Sequence, residues 1–179
     1  MLFLQYVMDS LKIGGRCGIV MDEGVLFRTN ENAFVQTKRK LLNEFNLRLI
    51  ISLPPKVFLN AGAASKTNLM FFTKGDSTKE IWYYDLSDLN ITKKQPLTME
   101  HFNEFFKLFD PSTLKLKESE RSWKVSLKEI EAKNYDLKAV NPNRKEQVDT
   151  RTPGELISII EEKSKEISDI ITSLRNKGV

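Results

Sequence analysis

"LKIGGRCGIVMDEGVLF", residues 11–27, decides how the rest of the chain is read. Gly14 and Gly15 stop a helical pattern, because glycine accepts the left-handed conformation that follows a helix end. "RCGIVM" (16–21) is then a short apolar run of the kind found in strands covered on both faces. The order is helix, paired glycine, strand. A dinucleotide loop needs the reverse: a strand leading through G-x-G-x-x-G into a helix, so that backbone N–H groups face the phosphates. The glycines are therefore a structural turn. Asp22 and Glu23 leave the carboxyl end of the strand, where ligands collect in open α/β sheets. The plain alternative there is a solvated loop start.

Upstream, "LFLQYVMDSL" (2–11) places Leu4, Val7, Met8 and Leu11 at helical spacing. Downstream, "DEGVLFRTNEN" (22–32) reads as a loop. "AFVQTKRKLLNEF" (33–45) reads as an amphipathic helix through Phe34, Leu41, Leu42 and Phe45. "LRLIISL" (47–53) is a second buried-type strand and "PPKVFLNAGAASK" (54–66) a long loop. "TNLMFF" is a third strand, Lys74-Gly75-Asp76 a turn, and "EIWYYDL" (80–86) a fourth strand. Strand, helix, strand order predicts an α/β sheet. The link between the second and third strands has no helical pattern, so those two strands should be antiparallel.

The second half differs. Thr98 can cap a helix through Phe102, Phe105, Phe106 and Phe109, whose spacing gives one apolar, core-facing stripe, with Pro111 beyond its end. His101 falls on the surface near that helix start. "RSWKVS" (121–126) suits a short strand, and Ser126 with Glu129 forms a capping box for a brief helix. "NYDLKAVNPNRKEQVDT" (134–150) is polar and turn-rich, as linkers are. The last segment has a full helix grammar. Thr152 is the N-cap, Pro153 opens the helix, Glu155 completes the box and Gly178 ends it. Ile160, Ile167 and Leu174 recur every seven residues, with Leu156, Ser164 and Ile170 or Ile171 between them. That resembles a coiled-coil seam. A lone helix packed on its own domain is the alternative; the polar stretch before it favours a helix that reaches another chain.

Composition narrows the function classes. The net charge of +4 permits an anionic partner such as DNA without requiring one. Cys17 is the single cysteine, so no intrachain disulfide or cysteine zinc cluster can form, and a reducing, cytoplasmic setting fits. His101 is the single histidine, which excludes His-rich metal sites and argues against a Ser-His-Asp triad. No apolar run reaches the roughly 18 residues of a membrane span, and the first residues lack a signal-peptide layout.

Few residues outside the core invite a role. "SLPPKVFLNAG" leaves the carboxyl end of the second strand with a stiff proline pair. Phe58 there offers a stacking platform for a base, or simply packs the loop onto the core. Lys56 and Lys66 could meet phosphates, although most surface lysines do nothing so specific.

Taken together, "FLQYVMDSLKIGGRCGIVMDEGVLF", "KRKLLNEFNLRLIISLPPKVFLNAGAASKTNLMFFTKG", "IWYYDL" and "NYDLKAVNPNR" resemble the methylation subunit of type I restriction-modification systems. "LPPKVF", "TNLMFF" and "NYDLKAVNPNR" are the specific part of the match, which covers nearly the whole chain. These subunits are adenine-specific DNA methyltransferases that use S-adenosylmethionine. The resemblance implies the carboxy-terminal half of a Rossmann-like methyltransferase sheet. Its fifth, sixth and seventh strands would be 16–21, 47–53 and 67–73, the last two antiparallel, with a mainly helical tail behind them.

It also implies what should precede Leu2: the fourth strand, the Asn-Pro-Pro-Phe motif and, further upstream, the glycine loop for the cofactor. The chain contains neither motif. Pro54-Pro55 follows Ser52-Leu53, and "VNPNR" has the asparagine but no second proline or aromatic. In the family the asparagine side chain and a prolyl carbonyl hold the adenine amine against the sulfonium carbon, while the aromatic stacks on the flipped base.

The resulting expectations are these. Residues 1–90 form a partial methyltransferase α/β domain, 91–134 an α-rich extension, 135–152 a linker and 153–179 a partner-binding helix. Phe58, Lys56 and Lys66 contact DNA or the target base. Leu156, Ile160, Ile167 and Leu174 contact the DNA-specificity subunit, with the restriction subunit and DNA as further partners. The chain alone is inactive, has no catalytic, cofactor-binding or metal residues, binds no S-adenosylmethionine, and self-associates through strand 16–21. The alternative is a non-catalytic protein-interaction module built on a degenerate methyltransferase half.

Overall fold

A computed structural model gives the fold; the structure describes residues 1–63, 65–143 and 152–176. Helix α1 (Leu2–Ser10) leads through the glycine turn into β1 (Arg16–Asp22). Then come α2 (Glu23–Phe27), α3 (Asn32–Glu44), β2 (Phe45–Ser52), β3 (Thr67–Lys74) and β4 (Glu80–Asp85). The second half supplies α4 (Asn103–Leu108), a two-stranded hairpin of β5 (Phe109–Asp110) and β6 (Lys115–Leu116), β7 (Ser122–Ser126), α5 (Leu127–Ala132) and α6 (Pro153–Asn176). The chain divides into a unit ending at Arg144 and a second unit containing α6.

The main sheet has the order β1-β3-β2-β4-β7. β3 is antiparallel to both β1 and β2, and β4 is parallel to β2. The predicted antiparallel relation of the second and third strands is therefore present. With β3 seated between two strands parallel to each other, the order is that expected for the fifth, seventh and sixth strands of the methyltransferase sheet.

Each face of the sheet carries a core. On the first, Leu4 and Met8 of α1 and Leu41 and Leu42 of α3 are fully buried against Ile50, Met70, Phe72 and Ile81. Each such side chain contributes about 1.5–3 kcal/mol by leaving water. Tyr83 and Trp123 extend this core, stacked across the β4–β7 pair at 5.4 Å. On the second face, Leu49, Ile51, Trp82 and Tyr84 pack with Phe105 and Leu116. Gly14, at φ 77, takes the left-handed conformation its position demands.

Several expectations change. Residues 22–32 are not all loop: Asp22 caps α2 by accepting from the Gly24 N–H at 2.7 Å, the usual way aspartate satisfies a helix start. The phenylalanine helix is shorter than its spacing suggested. A 3-10 turn over Met99–Phe102 precedes α4, and Phe109 already belongs to β5. Only Phe105 of that stripe is fully core, while Phe106 is 54% exposed. Cross-strand pairing with Leu116 takes Phe109 out of the helix. "RSWKVS" forms the expected short strand, β7, which joins the main sheet beside β4. Residues 135–143 belong to the first unit, with Leu137 fully buried; 144–151 lie outside the described residues, as does the Gly178 stop signal.

Candidate functional site

β1, β2 and β4 run in the same direction, so Asp22, Ser52 and Asp85 end on one side of the sheet. Backbone bonds tie these ends together: Glu23 N–H to Lys66 O at 3.0 Å, Leu53 N–H to Thr67 O at 3.1 Å, and Leu86 N–H to Ser52 O at 2.9 Å. Beyond them lies a cleft of about 240 Å³. Its polar walls include Lys66, Asn68, Asp85 and Ser87, with Trp123 beneath. Trp123 Nε1 and Thr67 Oγ1 are buried with no hydrogen-bond partner among the described residues.

The fourth wall is the surprise. Residues Leu137–Asn141, from the stretch expected to be linker, line this cleft. Their position is over-determined. The Tyr83 hydroxyl donates to Leu137 O at 3.0 Å, and burial pushes that hydroxyl's pKa up. Leu137 N–H donates to Leu26 O at 3.1 Å. Asn141 and Asn143 donate their side-chain amides to Glu120 O and Ser119 O, at 2.8 and 2.7 Å. Asn134 and Tyr135, both at positive φ, make the turn that brings the segment back, and the Arg39 guanidinium lies over the Tyr135 ring. Lys138 pairs with Glu23 at 3.2 Å. Both are partly solvated, so the pair adds little stability, but it closes the cleft rim between 134–143 and the end of β1.

Lys38 is the residue that motif reasoning missed. It is fully buried on α3, and its ammonium donates to Leu26 O and Arg28 O, each at 2.9 Å. Burial lowers its pKa, and the Asp136 carboxylate partly opposes that shift. Leu26 O thus receives both the Lys38 ammonium and the Leu137 amide. One carbonyl joins α2, α3 and the cleft wall. The available signal was periodicity: Lys38 falls on the same stripe as Phe34, Leu41, Leu42 and Phe45.

The predicted contact residues separate. Lys66 is exposed and lines the cleft. Lys56 is exposed at φ 69 on the preceding loop and is not among the lining residues. Phe58 is half-buried against the second core, the packing role weighed against stacking. On α6, Leu156 is half-buried, while Ile160 and Ile167 are 64% and 58% exposed, with Ile157 and Ile170 alongside them at 56% and 59%. The Leu174 side chain lies outside the described residues. Thr152 and Glu155 form the expected capping box, with the Thr152 N–H donating to the Glu155 carboxylate at 2.6 Å. Among the described residues no cluster of metal-ligating side chains occurs, and no helix is long and apolar enough to cross a membrane.

Comparison with known proteins agrees with this architecture. Residues 1–151 match the family model for N-6 DNA methylase. The methylase subunit of the type I restriction enzyme EcoEI from Escherichia coli is 32% identical over 98% of this chain and 36% of its own length. The EcoKI methylase subunit of Escherichia coli K12 is 31% identical over 72% of this chain and 26% of its own length. Among solved structures, one from a study of complex assembly and conformational transition of the type I R-M system superposes with TM-score 0.70 at 41% identity, covering 97% of this chain and 38% of its own. The EcoKI M protein has the same fold at TM-score 0.64 and 24% identity, over 99% of this chain and 44% of its own. The chain thus spans about a third of the length of the first of these relatives. Sheet order, the packed "NYDLKAVNPN" segment and these matches together place the chain in the N-6 DNA methylase family.

Proposed function

We propose that this chain is the portion of a type I methylation subunit that forms one wall of the DNA-facing side and carries a subunit-docking helix. In that role it serves S-adenosylmethionine-dependent adenine methylation only together with the part of the fold that holds cofactor and Asn-Pro-Pro-Phe. The carrying observation is the open β1 edge. Among the described residues β1 pairs with β3 alone, Val20 and Phe71 on the second face are 45% and 37% exposed, and Leu2, Phe3 and Tyr6 of α1 are more exposed still. Surface of this kind is what a continuing sheet and its helices would cover.

The Gly14–Gly15 turn does not offer a cofactor its amides. Gly14 N–H donates to Lys74 O at 2.8 Å and Gly15 N–H to Lys12 O at 2.8 Å. These glycine amides are consumed, and they sit at the amino end of β1, away from the cleft. Lys66, Lys56 and Phe58 remain the DNA-contact candidates on the loop that leaves β2. α6, through Leu156, Ile160, Ile167 and Leu174, is the candidate contact with a DNA-specificity subunit, and the restriction subunit would join the same assembly in the cytoplasm.

Isothermal titration with S-adenosylmethionine and a methyl-incorporation assay on adenine-containing duplexes test this reading. The expected result is neither binding nor methylation by the chain alone, and both after mixing with a polypeptide carrying the glycine loop and Asn-Pro-Pro-Phe. Micromolar cofactor binding by the chain alone would overturn it. The exposed isoleucines of α6 equally suit a purely non-catalytic interaction module; failure to regain methylation in that mixture, with partner binding intact, would favour the module.

A further inference from the structure

A second cleft, of about 550 Å³, lies at the amino-terminal ends of β2 and β4, the opposite end of the sheet from the candidate site. The β5–β6 hairpin forms part of its wall through Thr113, Leu114 and Lys115. Three cations, Arg48, Lys79 and Lys115, face two carboxylates, Asp76 and Glu80. Glu80 is already shared, with Lys115 at 3.8 Å and Lys124 at 3.5 Å. Arg48 and Lys79 have no carboxylate partner among the described residues.

Two buried donors in this wall are also unmatched. Arg48 Nε and Trp82 Nε1 have no acceptor among the described residues, although Trp82 is only 8% exposed. An N–H group removed from water without a partner is costly, and folded proteins leave few of them. Arg48 owes its placement to a bulge. The β2–β3 register shifts between Leu47 and Leu49, making Arg48 the extra residue, and bulges re-aim side chains in this way. The bulged residue is thus one that lines this cleft.

A guanidinium and an ammonium with no carboxylate partner among the described residues, both lining one cleft, suit a ligand rich in acceptors and negative in charge. The cavity falls within the ~300–1,000 Å³ of small-molecule sites, well beyond what a lone phosphate fills. We propose that this cleft binds a phosphorylated small molecule of nucleotide size, its phosphate oxygens accepting from the Arg48 guanidinium and the Lys79 ammonium, with the Trp82 indole in the wall beside them. The proposal is independent of the methylation reading, because the site shares no residue with the carboxyl-end cleft.

Nitrogen-15 NMR of the whole chain tests it, since indole and arginine Nε–H signals report these two donors directly. Trp82→Phe assigns the indole signals, and Trp123 serves as an internal control. Titration with deoxyadenosine monophosphate should shift the Trp82 and Arg48 signals saturably and leave Trp123 in place. Inorganic phosphate should move the same signals at least tenfold more weakly, and deoxyadenosine should not move them. Arg48→Met should weaken nucleotide binding at least tenfold. Lys79→Ala, at an exposed position, should weaken it several-fold without touching the fold. No saturable shift with either phosphate-bearing probe would overturn the proposal. So would deoxyadenosine binding as tightly as its monophosphate, or wild-type affinity in both Arg48→Met and Lys79→Ala.

Discussion

At the scale of single residues, Lys38 carries the clearest consequence. Lys38→Met keeps most of the apolar stem but removes the donor shared by Leu26 O and Arg28 O. Loss of charged hydrogen bonds at a buried site is expected to cost about 1–3 kcal/mol, read as a lower urea midpoint at unchanged slope. The pH dependence follows from the lowered pKa. The unfolded chain holds the Lys38 proton more tightly, so Lys38's contribution is greatest above its ordinary value of 10.5 and is lost as pH falls through the lowered folded value. The stability gap between wild type and Lys38→Met should therefore widen as pH rises toward 10.5.

Asp110 behaves as the ordinary carboxylate case. Hydrogen bonds from the Ser112 hydroxyl and amide, and then the Thr113 hydroxyl, hold it at about 2 instead of 3.8. Its stabilisation of the β5–β6 turn is fully present above 3.8 and lost as pH falls through about 2. Carbon-13 NMR of its carboxyl should give that midpoint, and Asp110→Asn should remove the acid-dependent step. Lys38 was visible as a polar intruder on an apolar helix stripe. Its acceptors were not, because they belong to α2 and to a conformation fixed only when 134–137 folds back.

At the scale of elements, cap chemistry was the most legible feature. Ser126 and Glu129 form the predicted box at α5, with Ser126 Oγ donating to the Glu129 carboxylate at 2.8 Å. Ser126→Ala should cost about 1 kcal/mol, measurable by thermal denaturation. The α6 grammar at Thr152, Pro153 and Glu155 was equally plain, and its seven-residue spacing makes the docking proposal specific. Replacing both Ile160 and Ile167 by Glu should abolish binding to a specificity subunit in a pull-down while leaving the far-ultraviolet circular dichroism unchanged. Wild-type binding by that variant would end the α6 docking idea. Elements failed to be legible where neighbours decided them. The phenylalanine stripe promised one helix, yet Phe109 leaves it to pair with Leu116 across the β5–β6 hairpin, a contact that periodicity along the chain does not encode.

At the scale of the whole molecule, the sheet edge dominates. Among the described residues nothing pairs with the outer ladder of β1, beside the exposed Val20 and Phe71. We expect the purified chain to sediment as dimers or larger species, and Val20→Lys to shift it toward monomer by placing a charge at that edge. A monomeric profile for wild type at high concentration would contradict this. Gly18 adds a steric detail: a Cβ there would come within 3.0 Å of the Phe71 ring. Any larger residue must push that ring aside.

Local periodicity and motifs contiguous in the chain were enough to read the five strands of the main sheet, the antiparallel relation of β2 and β3, the caps of α5 and α6 and the family, but not the Asp22 cap or the β5–β6 hairpin. Tertiary structure alone decided that "NYDLKAVNPN" walls a cleft instead of linking domains. A polar, turn-rich segment looks like a linker until distant groups pair with its backbone and its asparagine amides: the Tyr83 hydroxyl, Leu26 O, Glu120 O and Ser119 O all lie remote from it in sequence. The same holds for Arg48, whose strand looks regular in sequence. Its bulge exists only in register against β3, and pairing between strands is a property that neither strand carries alone.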